Sequence, residues 1–285
     1  MAKVILVTGA TGTVGSQLLR ELSGRDGVTL RATVRDLSKS AQVAGPGVEP
    51  VLFDYDKPET FAAACAGADV VFLVAPFSPK GVEQSIAFIE AAKSGGVKHI
   101  VKLSVSRSVS EITVGRWHAA IDDALKNSGV PWTILLPGGF MQNFVEGSAP
   151  RPDGNLYLPV GDSKAAFIDV RDIAAVAAKA IAETGHEGKE YTLTGPAAIT
   201  HGEVAAAISE ATGRTIRFVN ISEEAARQAM AAHMPPWLVD VLVELQTWTR
   251  AGGGAQVTST VPELLGRPAR SFAEFARDYA AHWKA

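Results

Sequence analysis

Lys3-Val-Ile-Leu-Val-Thr-Gly9-Ala-Thr-Gly12-Thr-Val-Gly15 opens the chain, and the amphipathic stretch Ser16 to Leu22 follows directly. An apolar run, a glycine-spaced turn and a helical pattern in that order form the entry of a nucleotide-binding fold. Each glycine has a physical task. Gly9 lets the backbone turn sharply off the strand, Gly12 removes a side chain where a pyrophosphate must touch main chain, and Gly15 lets the first helix sit close to the sheet. The exposed N–H groups around Thr11, Thr13 and Val14 then face phosphate oxygens at the positive end of the helix dipole. Glycine-rich turns also simply join strands to helices. Here the next strand pattern ends about 20 residues on, which is the context a dinucleotide site requires.

Outward from this turn, strand and helix patterns alternate, as they do in right-handed βαβ units around a parallel sheet. Strands are expected at Lys3 to Thr8, Thr29 to Val34, Glu49 to Phe53, Val70 to Val74, His99 to Leu103 and Trp132 to Leu136. Helices are expected at Val14 to Leu22, Glu59 to Ala66, Val82 to Ser94 and Gly115 to Ser128. Ser94-Gly-Gly96 and Ser128-Gly129 supply helix stops. After Leu136 the regularity loosens, with a Pro- and Gly-rich stretch from Ala149 to Gly161. Two short strands, Phe167 to Val170 and Lys189 to Leu193, are expected around a helix near Asp172, where Asp169 and Asp172 would cap it. Beyond them, helices are expected at Thr200 to Thr212, Ser222 to Ala232, Trp237 to Thr249 and Phe272 to Trp283, with a strand near Ile216 to Val219 and the turn Gly252-Gly-Gly254. The fold class is α/β, a doubly wound parallel Rossmann sheet with a smaller C-terminal α/β substrate domain. The expected division is 1–150 for the dinucleotide domain and 151–285 for a mostly helical substrate-binding part, with a return to the sheet around 165–195.

Composition narrows the function classes. The 285 residues are 47% hydrophobic, enough for a large core. A formal charge of −3 and a pI near 6.1 give no basic field for nucleic-acid phosphates. The single cysteine, Cys65, cannot form an internal disulfide, and no uncharged apolar stretch reaches the ~20 residues of a membrane span. The expectation is a soluble cytoplasmic protein, with no membrane or direct nucleic-acid partner. No metal site is expected, because the six histidines show no paired spacing and no cysteine or carboxylate cluster occurs. G-x-S-x-G is absent, which removes the serine-hydrolase reading.

The end of the second strand selects the nucleotide. An acidic residue there holds a ribose 2′-hydroxyl, whereas a basic one accommodates a 2′-phosphate. The chain has Thr33-Val34-Arg35, which favours NADP(H) and leaves NAD(H) as an alternative, since Asp36 follows at once and a solvated arginine is the bland reading. Asp54 can accept from the adenine amino group or bond its own backbone. Val74, Ala75 and Pro76 after the fourth strand, and Pro137 and Gly138 after the sixth, lie at strand C-termini, where such sheets carry their ligand.

The G-x-x-G-x-x-G spacing resembles short-chain dehydrogenases/reductases, whose Tyr-x-x-x-Lys dyad is not found: no tyrosine here is followed four residues later by lysine. Several segments resemble the NmrA-like group of atypical short-chain dehydrogenases/reductases, which includes quinone and triphenylmethane-dye reductases and NmrA-type redox regulators. The segments are Gly9 to Gly15, Gly96-Val-Lys-His-Ile-Val-Lys-Leu-Ser104, Trp117-His118 with Asp122, Ser128-Gly-Val-Pro-Trp-Thr-Ile-Leu-Leu-Pro137, Phe140-Met-Gln-Asn143 and Phe167-Ile-Asp-Val-Arg-Asp172. The resemblance implies that His118 stands where the superfamily has lysine, with Val114 at the tyrosine, and that Ser104 lies near the nicotinamide. Spacing of four puts His118 and Asp122 on one helical face, as an oriented imidazole or a plain ion pair. His118 and Ser104 are the candidate catalytic residues. Phe77, Trp117, Phe140, Met141, Asn143, Phe144, Trp237 and Trp248 are candidate substrate-pocket residues, though aromatics also build cores.

Two functions fit. The first is an NAD(P)H-dependent reductase passing hydride to a quinone or other flat aromatic, a reaction that needs alignment more than a strong acid. The second is an NmrA-type dinucleotide-binding redox sensor with a protein partner and no turnover. Sugar-nucleotide epimerisation is weakened by the lost dyad.

Overall fold

The opening apolar run becomes β1 (Lys3–Val7), which crosses the glycine turn into α1 (Thr13–Leu22). The chain continues through β2 (Val28–Val34), β3 (Val48–Leu52), α2 (Glu59–Cys65), β4 (Val70–Val74), α3 (Gly81–Ser94), β5 (His99–Leu103), α4 (Thr113–Asn127) and β6 (Trp132–Pro137). After β7 (Asn155–Leu158) and β8 (Lys164–Ala165), α5 (Val170–Ala182) leads into β9 (Lys189–Leu193). The computed structural model describes residues 2–43 and 45–284.

One seven-stranded sheet has the order β3-β2-β1-β4-β5-β6-β9. The pairs from β3 to β6 all run parallel, for example Ile5 opposite Leu30 on one side and Val70 on the other. Strand order reverses at β1, so the crossovers wind both ways from it, which is the doubly wound Rossmann arrangement expected from the alternation. β4 is an apolar run and β1 and β5 are largely buried because both faces are covered: Ile5, Leu6, Val71, Phe72 and Ile100 have no exposed surface. On one face, Phe53, Phe61 and Phe88 pack ring to ring at 4.8–5.4 Å. Burial pushes the Cys65 thiol up to about 11, so this cysteine is a packing residue.

The chain divides into two compact units. The first takes the chain up to Val105, Trp117–Leu136 and Ile173–Tyr191; the second takes Ser106–Arg116, Pro137–Asp172 and the chain from Thr192 onward. Most of α5, from Ile173, and β9 as far as Tyr191 belong to the first unit. No helix among the described residues is long and apolar enough to cross a membrane.

In the second unit, β7 pairs in parallel with β11 (Arg217–Asn220), and β8 pairs antiparallel with β10 (Ile199–Thr200). Its helices are α6 (His201–Thr212), α7 (Glu223–Ala231), α8 (Pro236–Arg250), α9 (Thr260–Leu265) and α10 (Phe272–Asp278). Thr200 with Glu203, and Ser271 with Glu274, form capping boxes that start α6 and α10.

Several local expectations are corrected. The stretch Ala149 to Gly161 contains β7, which pairs with β11 about 60 residues later, a pairing no local pattern announces although the β11 strand itself is expected near Ile216 to Val219. Phe167 to Val170 is not a strand: Ile168 makes one bridge to Phe140, and Asp169 then starts α5 by accepting from the Arg171 N–H at 2.9 Å. Burial works against the Asp169 carboxylate, but the Arg171 guanidinium and N–H outweigh it and hold its pKa below the usual range. Asp172 is not a cap; buried completely, it accepts from Arg267 at 2.8 Å, from the Arg270 N–H at 2.7 Å and from the Arg270 guanidinium. The closing helix breaks after Asp278 and resumes as a 3₁₀ turn, Ala280–Trp283.

His201 gives this unit a dependence on pH. It is 4% exposed, ringed by Phe144, Phe167 and Phe218, and its Nδ1 has no hydrogen-bond partner among the described residues. Burial pushes its pKa down to about 4 from an ordinary 6.5. Between these values the unfolded chain takes up a proton that the folded chain refuses, so stability falls as pH drops from about 6.5 towards 4, by an order of 3 kcal/mol in full. His201→Phe is expected to flatten that acid slope in denaturant unfolding; equal slopes for variant and wild type would remove His201 as the cause.

Candidate functional site

The turn after β1 is built by contacts that only glycine permits. Gly9 has φ +61°, and a Cβ on Gly15 would stand 2.2 Å from the Gly9 carbonyl oxygen, well inside contact distance. The Gly12 N–H donates to the same oxygen at 2.9 Å, and the Ser16 N–H donates to Gly12 at 3.0 Å. Thr8, fully buried, ties the turn to the neighbouring strand: its Oγ1 donates to the Phe72 carbonyl at 3.0 Å and accepts from the Val74 N–H at 2.8 Å. Val74 then packs against Gly9, while Ala75 covers the core beside it. Gly12, the N-cap of α1, has no side chain to cap with, and the first turn of α1, around Thr13, Val14 and Gly15, has no acidic residue. Thr11 and Gly12 are exposed. A cradle of main-chain N–H groups at a helix start whose first turn carries no acidic residue fits a pyrophosphate.

Beyond β2, Arg35 is exposed. The charge of its neighbour Asp36 is turned onto a 3₁₀ turn, Leu37–Gln42: Asp36 accepts from the Ser38 N–H at 2.9 Å, and Ser38 holds its carboxyl below the usual range. Asp54 is half-buried, with Oδ1 accepting from the Asp56 N–H at 3.1 Å, so the local turn takes one of its oxygens. Pro76 precedes a tight turn in which a Cβ on Gly81 would stand 2.2 Å from the Pro76 carbonyl. Phe77 is 47% exposed and meets Trp117 edge to face at 6.0 Å.

The first unit holds a charged group in a strand that is buried along its whole length. Lys102 of β5 and Asp122 of α4 are both fully buried and 2.7 Å apart. Ser104, 3% exposed, donates its hydroxyl to the other Asp122 oxygen at 2.8 Å. The Lys102 Nζ also lies 3.2 Å from Nδ1 of half-buried His118. The helical spacing of four thus brings His118 and Asp122 to one place, with a lysine between them from the strand. Lys102 was not singled out in sequence, although a lysine amid His99-Ile-Val-Lys-Leu103, a run buried throughout, is itself the signal, because lysine is almost never fully buried unpaired.

The second unit holds the remaining candidates. A Cβ on Gly138 would approach the Ala166 carbonyl to 3.1 Å, and the Gly138 N–H, next to buried Pro137, donates to Leu193 at 2.9 Å. Met141, 1% exposed, lines an apolar cavity of about 230 Å³ with Phe167, Ile199 and Phe272. Phe144, 2% exposed, packs on Phe167 and Phe272 at 5.0 and 5.4 Å and belongs to the core. Phe140 and Trp237 are half-buried, and Asn143 is exposed. Trp248 lies on the triple glycine, where a Cβ on Gly253 would enter its ring at 2.1 Å, and its Nε1–H donates to Ser108 at 3.1 Å. Among the tyrosines, Tyr55 donates to the Val74 carbonyl, Tyr157 donates to Asp153, Tyr191 meets His186 Nδ1, and Tyr279 accepts from Gln142.

Residues 1–262 match the model of the NmrA-like family. The chain is 43% identical over 282 residues to an NAD(P)H azoreductase of Xenophilus azovorans, covering 98% of both chains. It is 38% identical over 284 residues to a (4-alkanoyl-5-oxo-2,5-dihydrofuran-3-yl)methyl phosphate reductase of Streptomyces griseus, covering 97% of this chain and 98% of the relative. Among solved structures, an NADPH-dependent quinone oxidoreductase from Escherichia coli complexed with NADPH superposes with a TM-score of 0.84 at 27% identity, over 96% of this chain and 99% of that one.

Proposed function

Because this chain belongs to the NmrA-like family, we propose that it is an NAD(P)H-dependent reductase that delivers hydride to a flat, electron-poor aromatic such as a quinone or an azo or arylmethane dye, with NADPH preferred. The observation that carries the reading is the glycine turn: main-chain N–H groups, a carbonyl that excludes any side chain at Gly15 and a first helical turn with no acidic residue suit a pyrophosphate. Two full-length relatives, 43% and 38% identical, are named as reductases, and the solved quinone oxidoreductase holds NADPH.

In this reading Gly9, Thr11, Gly12, Thr13, Val14 and Gly15 hold the pyrophosphate, Arg35 holds the 2′-phosphate, and Val74 to Pro76 line the adjacent strand end. When bound, NADPH supplies the hydride. His118, backed by Lys102, Asp122 and Ser104, is the polar group of the first unit that orients the nicotinamide ribose. Phe77 and Trp117 offer an aromatic surface to the acceptor, and Phe140, Trp237 and Trp248 are the second unit's own candidates for aromatic contact. An acceptor whose reduced form takes protons from solvent makes no demand for a tyrosine acid, and each tyrosine hydroxyl here has a protein partner.

The test is NADPH consumption with a panel of a quinone, an azo dye and a triphenylmethane dye. Acceleration by at least one acceptor is expected; tight NADPH binding with no acceleration by any would overturn the reductase reading in favour of a redox sensor. Arg35→Glu is expected to raise the dissociation constant for NADPH about ten-fold or more, as loss of charge-assisted contacts does, and to leave that for NADH nearly unchanged. An equal change for both would remove Arg35 from the 2′-phosphate site.

A further inference from the structure

Lys102 is the charge that the fold has most reason to avoid. It lies in a central strand with no exposed surface, and its partner Asp122 is equally buried. Removing such a pair from water forfeits hydration that mutual attraction seldom returns in full, so a pair of this kind contributes little to stability over apolar residues of the same size. Its geometry points to a use instead.

An ammonium has three N–H donors and no lone pair, so at 3.2 Å from His118 Nδ1 the Lys102 Nζ can only donate, and Nδ1 can only accept. A ring whose Nδ1 accepts carries its proton on Nε2, on the opposite side of the imidazole. Asp122 is placed to hold the ammonium: Oδ1 takes one of its hydrogens at 2.7 Å, and Oδ2 is occupied by the Ser104 hydroxyl at 2.8 Å. We propose that Lys102 is a positioning residue that, anchored by Asp122, fixes His118 as the neutral tautomer protonated on Nε2 and so makes it a hydrogen-bond donor towards the bound dinucleotide. The direct donor of the Tyr-x-x-x-Lys arrangement, a lysine on the helix, is thereby split in two. The ammonium stays inside the sheet, and the imidazole passes its donor character outward. Only the target of that donor rests on the dinucleotide reading; the tautomer does not.

Nitrogen-15 NMR of the full chain labelled at histidine reads the tautomer directly. The His118 signals are identified by their loss in His118→Gln. At pH 7, an unprotonated Nδ1 and a protonated Nε2 are expected. A protonated Nδ1, or an imidazolium with both nitrogens protonated, would overturn the proposal without any variant. In Lys102→Met/Asp122→Asn, which removes both charges and keeps an acceptor for Ser104, His118 is expected to exchange between tautomers, and the NADPH dissociation constant to rise roughly 3- to 10-fold, the range for one lost hydrogen bond. An unchanged wild-type spectrum in that variant overturns the role of Lys102. Failure of the wild type to bind NADPH overturns the dinucleotide reading and the donor's target, while the tautomer stands on its own spectrum.

Discussion

Gly15→Ala is expected to abolish dinucleotide binding and to destabilise the protein by about 1–3 kcal/mol, the range for forcing an extra methyl into a packed site. Helix propensity alone predicts the opposite sign, since alanine improves on glycine inside a helix by about 1 kcal/mol. The contact decides: the new Cβ would lie 2.2 Å from the Gly9 carbonyl oxygen and 2.8 Å from its carbon, both main chain. A backbone clash cannot be relieved by rotating a side chain, so the turn itself must move. Gly12→Ala is the control. Gly12 has φ −83° and ψ 175°, open to any residue, and its Cβ would meet the Gly9 oxygen at 3.2 Å. That variant is expected to melt near the wild type and yet to bind NADPH about ten-fold or more weakly, because its methyl occupies the surface proposed for the pyrophosphate. Thermal melting with NADPH titration separates the two, and a stable Gly15→Ala protein with normal affinity would refute the role of the glycine turn.

Lys102→Met alone is expected to cost about 3–5 kcal/mol, because it leaves a fully buried Asp122 carboxylate without its counter-charge. Adding Asp122→Asn to it is expected to restore most of the loss, since the buried charge is then gone and the Ser104 hydroxyl keeps an acceptor. Denaturant unfolding of the two singles and the double closes the cycle. If the double variant is as unstable as Lys102→Met, the cost lies in packing at β5 and not in the ion pair.

The elements of the sheet were legible from local pattern. β4 begins and ends where its apolar run does, and α3 and α4 end within a residue or two of their glycine stops. The glycine turn was legible for the same reason: a strand, a turn and a helix are consecutive in the chain, and the residues that shape them are neighbours. Where the partner is distant, pattern was silent. β7 hides in a Pro- and Gly-rich stretch because its pairing comes from Arg217–Asn220. Asp172 reads as a helix cap until Arg267 and Arg270, about 95 residues later, are seen to enclose it. The triple glycine reads only as a turn until Trp248 is found lying across Gly253.

By itself, then, the sequence determined a doubly wound Rossmann sheet, a glycine turn between its first strand and helix, and a helix with His118 and Asp122 on one face, because hydrophobic period, turn chemistry and helical spacing act over a few residues. Tertiary structure decided the strand order, the division into two units and the arrival of Lys102 between Asp122 and His118. Those outcomes depend on which strand pairs with which across tens of residues, and the free energy that selects them comes from burial of the whole core and from the satisfaction of each buried charge.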